Sequence, residues 1–306
     1  MIKQPLPGDN PKKVYQERHL DRVHRFLLAG DTVRAYLVRG NRLVREMKNS
    51  HSLGPLETML LGQSALGALL MAANLKDEGR IRLQWKCGGP VGSLSVEADS
   101  HGTVRGFLGN NPVVLPENAA HSSVDFFGPG FLTVTRLFSG TAEPHNSTVA
   151  LRHGKIAQDL TAWYLESEQL PTAMALSVVF DREGEPSGAG GLFLQALPGA
   201  PDETVEALEN SLEHLPSLGE AFAAGRDAES LILDLFSAQA PRFLNSTRVE
   251  FFCPCDSGLF QRYLQGLPAA DKKEIREEGP FPLTITCQNC ATVYTYSREE
   301  VQDFLS

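Results

Sequence analysis

The chain has 306 residues, of which 42% are hydrophobic and 21% are charged, as in ordinary soluble globular proteins. This length suggests about two domains and is enough to bury a large core without disulfide bonds. The net charge of −9 argues against a constitutive nucleic-acid-binding protein, because such proteins normally carry a basic excess or a basic face.

The N-terminal segment contains lysines but no apolar run behind them, so the sequence predicts no secretory signal there. The longest apolar stretch, Met59–Ala73, falls short of the roughly 20 residues that span a bilayer and is expected to form a buried helix. We therefore expect a cytoplasmic protein with no membrane partner. In that reducing compartment, paired cysteines more often bind metal or serve redox chemistry than form structural disulfides.

Residues 1–200 alternate between strand-like and helix-like segments, which predicts an α+β domain with a mixed sheet and packed helices. Helices are expected over Leu56–Lys76 and over residues 155–166, where apolar side chains recur at helical spacing. Nothing in these 200 residues matches a phosphate-binding loop, a nucleophile elbow or a metalloprotease helix. The predicted strands are Arg34–Val38, Ile81–Trp85, Ser93–Glu97, Phe131–Thr135, Ala173–Phe180 and Leu192–Gln195.

Residues 201–245 form a predicted helical linker, with interruptions expected at Pro216 and Gly219. Its apolar residues could simply rest on the first domain, as in an ordinary connector, or could form a stripe that can be uncovered. The sequence alone favours the connector. The stripe consists of Val205, Leu208, Leu212 and Leu215.

Residues 246–306 are predicted to form a small separate domain with a net charge of −3. Helical segments and a two-stranded hairpin are expected around its cysteines. The predicted helices are Leu259–Leu267, Asp271–Glu278 and Arg298–Leu305, and the predicted strands are Leu283–Thr286 and Val293–Tyr296.

Four of the five cysteines lie in this last domain, as the pairs Cys253/Cys255 and Cys287/Cys290, separated by residues 256–286. Two pairs of soft ligands match the needs of a tetrahedral zinc ion closed by four thiolates. Such a site contributes roughly 10–16 kcal/mol of apparent binding free energy, which becomes folding free energy in a small domain. We therefore predict one Zn²⁺ per chain, bound by all four thiols. The fifth cysteine, Cys87, is expected to be half-buried near a strand end and not to bind metal.

Three interpretations of the cysteine pattern stay open at this point. A structural zinc knuckle is the commonest use of such a pattern, and it could dock a protein or RNA. The net negative charge of residues 246–306 argues against a zinc ribbon that binds nucleic acid. A redox switch is possible because the same thiolates react with oxidants, and oxidation would remove the zinc ligands. A thiol oxidoreductase lacks support, since no thioredoxin-like strand–Cys-x-x-Cys–helix context is present.

The spacing Cys-x-Cys, about 30 residues, Cys-x-x-Cys resembles that of the redox-regulated 33-kDa heat-shock chaperones, also called 33 kDa chaperonins. Other segments resemble this family as well, so that the similarity extends over about residues 20–305. These segments are LKDEGRIRLQ (Leu75–Gln84), VRGFLGN (Val104–Asn110), YLESEQLPT (Tyr164–Thr172) and GGLFLQALPGA (Gly190–Ala200).

This resemblance implies a chaperone that holds unfolding proteins, and not an enzyme. It implies an inactive reduced form with zinc on all four thiolates. Oxidation is then expected to form the disulfides Cys253–Cys255 and Cys287–Cys290, release zinc, unfold the C-terminal domain and loosen the linker. The implied partners are unfolded or oxidatively damaged client proteins and, on activation, a second copy of the chain. Nucleic acid is not an expected partner.

Overall fold

A computed structural model describes residues 20–75, 78–115, 126–140 and 143–305, apart from the side chains at 208, 209, 211 and 213. The chain divides into two compact units, Met1–Phe251 and Phe252–Ser306. Both contain helices and sheets, in agreement with the predicted α+β class. The division into functional parts at residues 1–200, 201–245 and 246–306 remains a prediction.

The first unit contains a five-stranded antiparallel sheet with the strand order β10-β1-β2-β9-β8. Its edge strand β10 comes from the end of the linker and pairs with β1, so that Arg22 lies opposite Arg248. The strands are β1 (Arg22–Leu28), β2 (Val33–Arg39), β8 (Thr172–Phe180), β9 (Pro186–Ala196) and β10 (Arg242–Arg248).

A second, six-stranded sheet has the order β11-β5-β4-β3-β6-β7 and is antiparallel except for the short pair β11/β5. The sequence predicted a single mixed sheet in the N-terminal domain. That prediction was wrong, because the first unit contains two sheets. Strand patterns reveal which faces are buried but not which strands pair. The strands are β3 (Gly79–Cys87), β4 (Ser93–Asp99), β5 (Thr103–Leu108), β6 (Gly130–Phe138), β7 (His145–Ala150) and β11 (Glu250–Phe251).

A long apolar helix, α2 (Pro55–Ala73), packs against strands of both sheets and is buried nearly all round. It is the one helix among the described residues with the length and hydropathy of a membrane span, but 78% of its apolar window is buried. The predicted buried helix is therefore confirmed as a core element. Helix α1 (Asn41–His51), which the sequence did not predict, precedes it. Helix α3 (Ile156–Trp163) continues as a π-helix, Tyr164–Glu168.

The linker forms three helices, α4 (Asp202–Glu213), α5 (Leu218–Ala223) and α6 (Ala228–Leu235). Helices α5 and α6 bury apolar side chains against the five-stranded sheet, in a cluster separate from the one around α2. Their fully buried contacts were not predicted from the sequence. They are made by Leu218, Phe222, Leu231, Ile232 and Phe236.

Glycine allows α5 to approach the sheet unusually closely. A Cβ atom at Gly188 of β9 would lie 2.0 Å from the carbonyl oxygen of Gly219. The expected helix interruption at Gly219 was therefore wrong, because this glycine lies inside α5 and permits close packing. The interruption expected at Pro216 is confirmed between α4 and α5.

The C-terminal unit is small and closely follows the sequence prediction. Its strands have the predicted bounds and form a hairpin, and its helices match within two residues at each end. Its elements are α7 (Ser257–Gln265), α8 (Ala269–Glu278), β12 (Leu283–Thr286), β13 (Val293–Tyr296) and α9 (Arg298–Phe304). Its buried cluster consists of Leu264, Tyr296, Val301 and Leu305.

Candidate metal centre

The first cysteine pair lies on an extended segment that leads into helix α7. Asp256 follows Cys255 directly and accepts a hydrogen bond from the Leu259 backbone N–H at 2.7 Å, which caps the helix. The cap is thereby fixed one residue after Cys255, and α7 begins at the next residue, Ser257. The position of the Cys255 side chain consequently depends on where this helix begins.

The second pair lies in the turn of the hairpin β12/β13. The Cys287 N–H donates to the Thr292 carbonyl at 2.9 Å, and the Ala291 N–H donates to the Cys287 carbonyl at 2.8 Å. Ala291 closes the turn in the left-handed region, with φ of 55°. These bonds form a compact knuckle that places the Cys287 and Cys290 side chains together.

The four sulfur atoms from the two segments converge on one point of the C-terminal unit. They lie within 4.8 Å of one another, with Cys253 Sγ 3.8 Å from Cys287 Sγ and Cys255 Sγ 3.3 Å from Cys290 Sγ. Around zinc, S–Zn bonds of about 2.3 Å place tetrahedral sulfurs about 3.8 Å apart. None of these four cysteines forms a disulfide, so the donor set and its spacing fit a four-thiolate metal ion.

Two hydroxyl groups contact the sulfurs. The Tyr294 hydroxyl donates to the Cys255 carbonyl at 2.9 Å and lies 3.2 Å from Cys255 Sγ, while Thr292 Oγ1 lies 3.2 Å from Cys290 Sγ. The Tyr294 ring also packs against Phe260 of α7, with centroids 5.0 Å apart. These contacts were not predicted from the sequence. The alternation of β13 places Tyr294 on one face of the hairpin but does not say which cysteine it meets.

The thiols differ in acidity in the metal-free protein. Burial raises the pKa of Cys255 to about 12, with further upward contributions from hydrogen bonds to the neighbouring thiols. Burial also raises the pKa of Cys287. Burial opposes ionisation of Cys290 too, but hydrogen bonds with Thr292 and with the adjacent thiols outweigh it and lower its pKa to about 7. Cys290 is therefore more readily ionised near neutral pH than Cys255 or Cys287.

Cys87 belongs to the first unit and lies at the end of β3, where its Sγ is 3.4 Å from the Gly92 carbonyl oxygen. It is half-buried, and burial raises its pKa. These observations agree with the expectation of a half-buried residue near a strand end. Cys87 is not a member of the four-sulfur cluster.

Comparisons with known proteins agree with this architecture. A family model described as "Hsp33 protein" matches residues 21–297. The 33 kDa chaperonin of Lactiplantibacillus plantarum is 32% identical over 291 residues, covering 94% of this chain and 97% of that protein. That of Agathobacter rectalis is 31% identical, covering 92% and 99%.

A solved structure shows the same fold. The crystal structure of the 33 kDa chaperonin of Thermotoga maritima has a TM-score of 0.84 and 29% sequence identity. The match covers 94% of this chain and 98% of that one. The family match and the curated relatives both span nearly the whole chain, and the chain therefore belongs to the Hsp33 protein family.

Proposed function

We propose that this protein is a redox-regulated chaperone that holds unfolding proteins when it is oxidised and is inactive when it is reduced and zinc-bound. The observation that carries the proposal is the convergence of four cysteine sulfurs within 4.8 Å in a unit whose buried apolar cluster is small. Family membership supports the chaperone activity, since the curated relatives are named chaperonins.

In the reduced form, Cys253, Cys255, Cys287 and Cys290 would hold one zinc ion. The bound ion would join the segment before α7 to the hairpin knuckle and leave no coordination position open for catalysis. The surrounding chain contributes the Asp256 cap, the knuckle hydrogen bonds and the Tyr294 contact with Cys255. These residues orient the sulfurs before metal binds.

Oxidation would remove the ligands by forming Cys253–Cys255 and Cys287–Cys290. Each disulfide forms as two thiols give two electrons and two protons to hydrogen peroxide, which is reduced to two molecules of water. We base this pairing on the family resemblance, since the 3.3 Å and 3.8 Å sulfur separations join cysteines of different pairs. The within-pair sulfurs would have to close from up to 4.8 Å to about 2.05 Å, so oxidation and local unfolding are expected together.

The surface to be uncovered would be the apolar face under the linker. Val205 and Leu212 of α4 are only half-buried, and they line an apolar cavity of about 240 Å³ with Leu165, Pro171 and Leu194. Leu165 is 63% exposed even with α4 in place. Among the described linker contacts, those of α4 are therefore the least buried. Its departure would extend an apolar patch that is already partly open.

The expected partners are unfolded or oxidatively damaged client proteins, and the active form would be a homodimer. We propose no enzymatic activity and place the protein in the cytoplasm. A second candidate function, a constitutive zinc knuckle that docks a protein or RNA, is favoured by the cap and knuckle bonds, which would make a rigid platform. In that case oxidant would neither remove zinc at modest doses nor melt the C-terminal unit.

The test is to treat the reduced, zinc-loaded protein with hydrogen peroxide at raised temperature. Zinc release is followed with a chromogenic chelator, and suppression of client aggregation is followed by light scattering on the same samples. We expect about one zinc per chain to be released as suppression appears. The matched control is Cys87→Ser, which should behave as the unmodified chain does.

Each other outcome selects a different function. Equal suppression before and after oxidation would leave a constitutive chaperone and remove the switch. Retained zinc without suppression would favour the docking knuckle. Loss of activation in Cys87→Ser would show that the four-cysteine assignment is incomplete.

A further inference from the structure

A cavity of about 300 Å³ with both charged and apolar lining lies in the first unit at the C-terminal end of α2. Strands of both sheets contribute to it, through Arg34 of β2 and Arg136 of β6, and the π-helix closes one side. Its aromatic wall includes Trp163 and Tyr164, which pack edge to face with centroids 4.9 Å apart. The cavity therefore combines guanidinium groups with an apolar wall. It is distinct from the apolar cavity beneath α4.

The charges that line this cavity do not balance. Arg136 forms an ion pair with Glu168 and lies over the Trp163 ring, 5.4 Å from its centroid. The carboxylate of Glu168 therefore already has a cationic partner. Arg34 is half-buried and makes one hydrogen bond, to Asn74 Oδ1 at 3.4 Å, and no ion pair within the part of the chain that the structure describes. Among the described residues, one guanidinium in the lining thus has no counter-charge, an unfavourable arrangement for a partly desolvated cation.

Two further features mark this cavity. Trp163 is 1% exposed, and its Nε1–H has no hydrogen-bond acceptor among the described residues. Leaving a buried donor unsatisfied is unfavourable, so such groups are uncommon in native proteins. In addition, the π-helix Tyr164–Glu168 interrupts the α-helical pattern where its first and last residues line the cavity. Single π-helical turns are uncommon and occur frequently at functional sites.

We propose that this cavity binds a small organic anion, a monocarboxylate with an apolar body. Arg34 would pair with the carboxylate, because a guanidinium matches a carboxylate in a bidentate, charge-assisted geometry. Trp163, Tyr164 and Leu170 would cover the apolar part of the ligand. This inference goes beyond the proposed function, since it involves neither the cysteines nor client binding.

A purely structural role for Arg34 would be to stabilise the C-terminus of α2, which carries a partial negative charge. Arg25 serves that role in the structure, because its Nε donates to the Ala73 carbonyl oxygen at 3.4 Å. Arg25 is not part of the cavity lining. Substituting Arg25 therefore tests helix stabilisation, whereas substituting Arg34 tests ligand binding. The two variants form a matched pair.

Ligand binding is detected through the fluorescence of Trp163, which lines the cavity. The chain has two tryptophans, so Trp85→Phe in the reduced, zinc-loaded full chain leaves Trp163 as the single indole fluorophore. Straight-chain monocarboxylates from butanoate to decanoate, together with 3-phenylpropanoate, are titrated while its emission is recorded. The matching amides are titrated in parallel, and thermal shifts of the unmodified chain serve as a second readout.

We expect a saturable change in Trp163 emission with at least one carboxylate and affinity at least tenfold weaker for its amide. Arg34→Met should weaken carboxylate binding roughly tenfold or more, the loss expected for a charge-assisted hydrogen bond. Arg25→Met should keep the affinity. Equal binding of carboxylate and amide, or equal loss in the two arginine variants, would overturn the assignment. Failure of every carboxylate to saturate the signal or raise the melting temperature would mean that water alone fills the cavity, which would also overturn it.

Discussion

The first unit and the C-terminal unit obtain their stability from different sources. In the first unit, α2 and both sheets share one large buried cluster, and the linker helices form a second on the other face of the five-stranded sheet. In the C-terminal unit, the apolar cluster consists of only four buried side chains, with partly buried hydrophobic residues packed against them. The same unit contains the four clustered cysteines. Apolar burial can sustain the first unit alone, whereas under the proposed function the second would depend on the chemical state of its cysteines.

That difference explains how one chain could combine a permanent fold with a conditional one. The free energy of apolar burial changes little with redox conditions, because no bond is made or broken. Metal–thiolate bonds exist only while the thiols are reduced. An oxidant would therefore act on the C-terminal unit and leave the first unit folded.

The largest expected effect comes from removing one thiol of the knuckle. In Cys287→Ser, the reduced C-terminal unit should lose most of the roughly 10–16 kcal/mol typical of a four-thiolate site and unfold. Hydrogen exchange by mass spectrometry should show protection lost in residues 252–305 and kept in the first unit. Zinc content should fall in the same protein. Full protection throughout the variant would mean that apolar packing alone maintains the small unit.

An intermediate effect is expected from a substitution that pushes the linker helix α5 away from the five-stranded sheet. In Gly188→Ala, the new methyl group would meet the Gly219 carbonyl oxygen at 2.0 Å, so α5 must shift. Overpacking of this kind costs typically about 1–3 kcal/mol. We expect faster hydrogen exchange in α5 and some client binding in the reduced state. Zinc content should be unchanged.

The control for this variant is Gly88→Ala, where the added methyl group would meet only ordinary contacts at 3.6 Å and beyond. It should resemble the unmodified chain in exchange and in client binding. If the two alanine variants behave alike, the close approach of α5 to β9 does not restrain the linker.

The smallest expected effect concerns the hydroxyl next to the first cysteine pair. Tyr294→Phe removes the hydrogen bond to the Cys255 carbonyl and the contact with its sulfur, and retains the ring contact with Phe260. Loss of such support typically weakens metal affinity about 10-fold or more. A competitive chelator titration of the reduced protein measures this change. Tyr263→Phe, at a position 63% exposed, is the matched control and should leave zinc affinity unchanged.

The sequence predicted the C-terminal unit better than the first. The pair Cys287/Cys290 marks the turn between the two strands of the hairpin, so the bounds Leu283–Thr286 and Val293–Tyr296 were predicted correctly. In the first unit, β1 and β10 were missed. They pair across more than 200 residues, and local patterns carry no information about such a partner.

The cavity at Arg34 was equally invisible to sequence analysis. Its lining residues come from β2, α2, β3, β6, α3, the π-helix and β9, and none forms a motif with its neighbours in the chain. A π-helical turn also has no distinct residue pattern that would separate it from the α-helix before it. By contrast, the four cysteines lie in two short segments, so both their grouping and the kind of ion they suit could be inferred.

The pairing of β10 with β1 has a consequence for how the protein is made. Arg22 lies opposite Arg248, so the five-stranded sheet lacks its last strand until residues 242–248 have left the ribosome. Such long-range pairing is slow, because the loop must close before its contacts are gained. The nascent chain therefore passes through most of its synthesis with an open sheet edge, the kind of structure that aggregates. A protein of a chaperone family would therefore, while it is being synthesised, face the same risk of aggregation as the clients proposed for it.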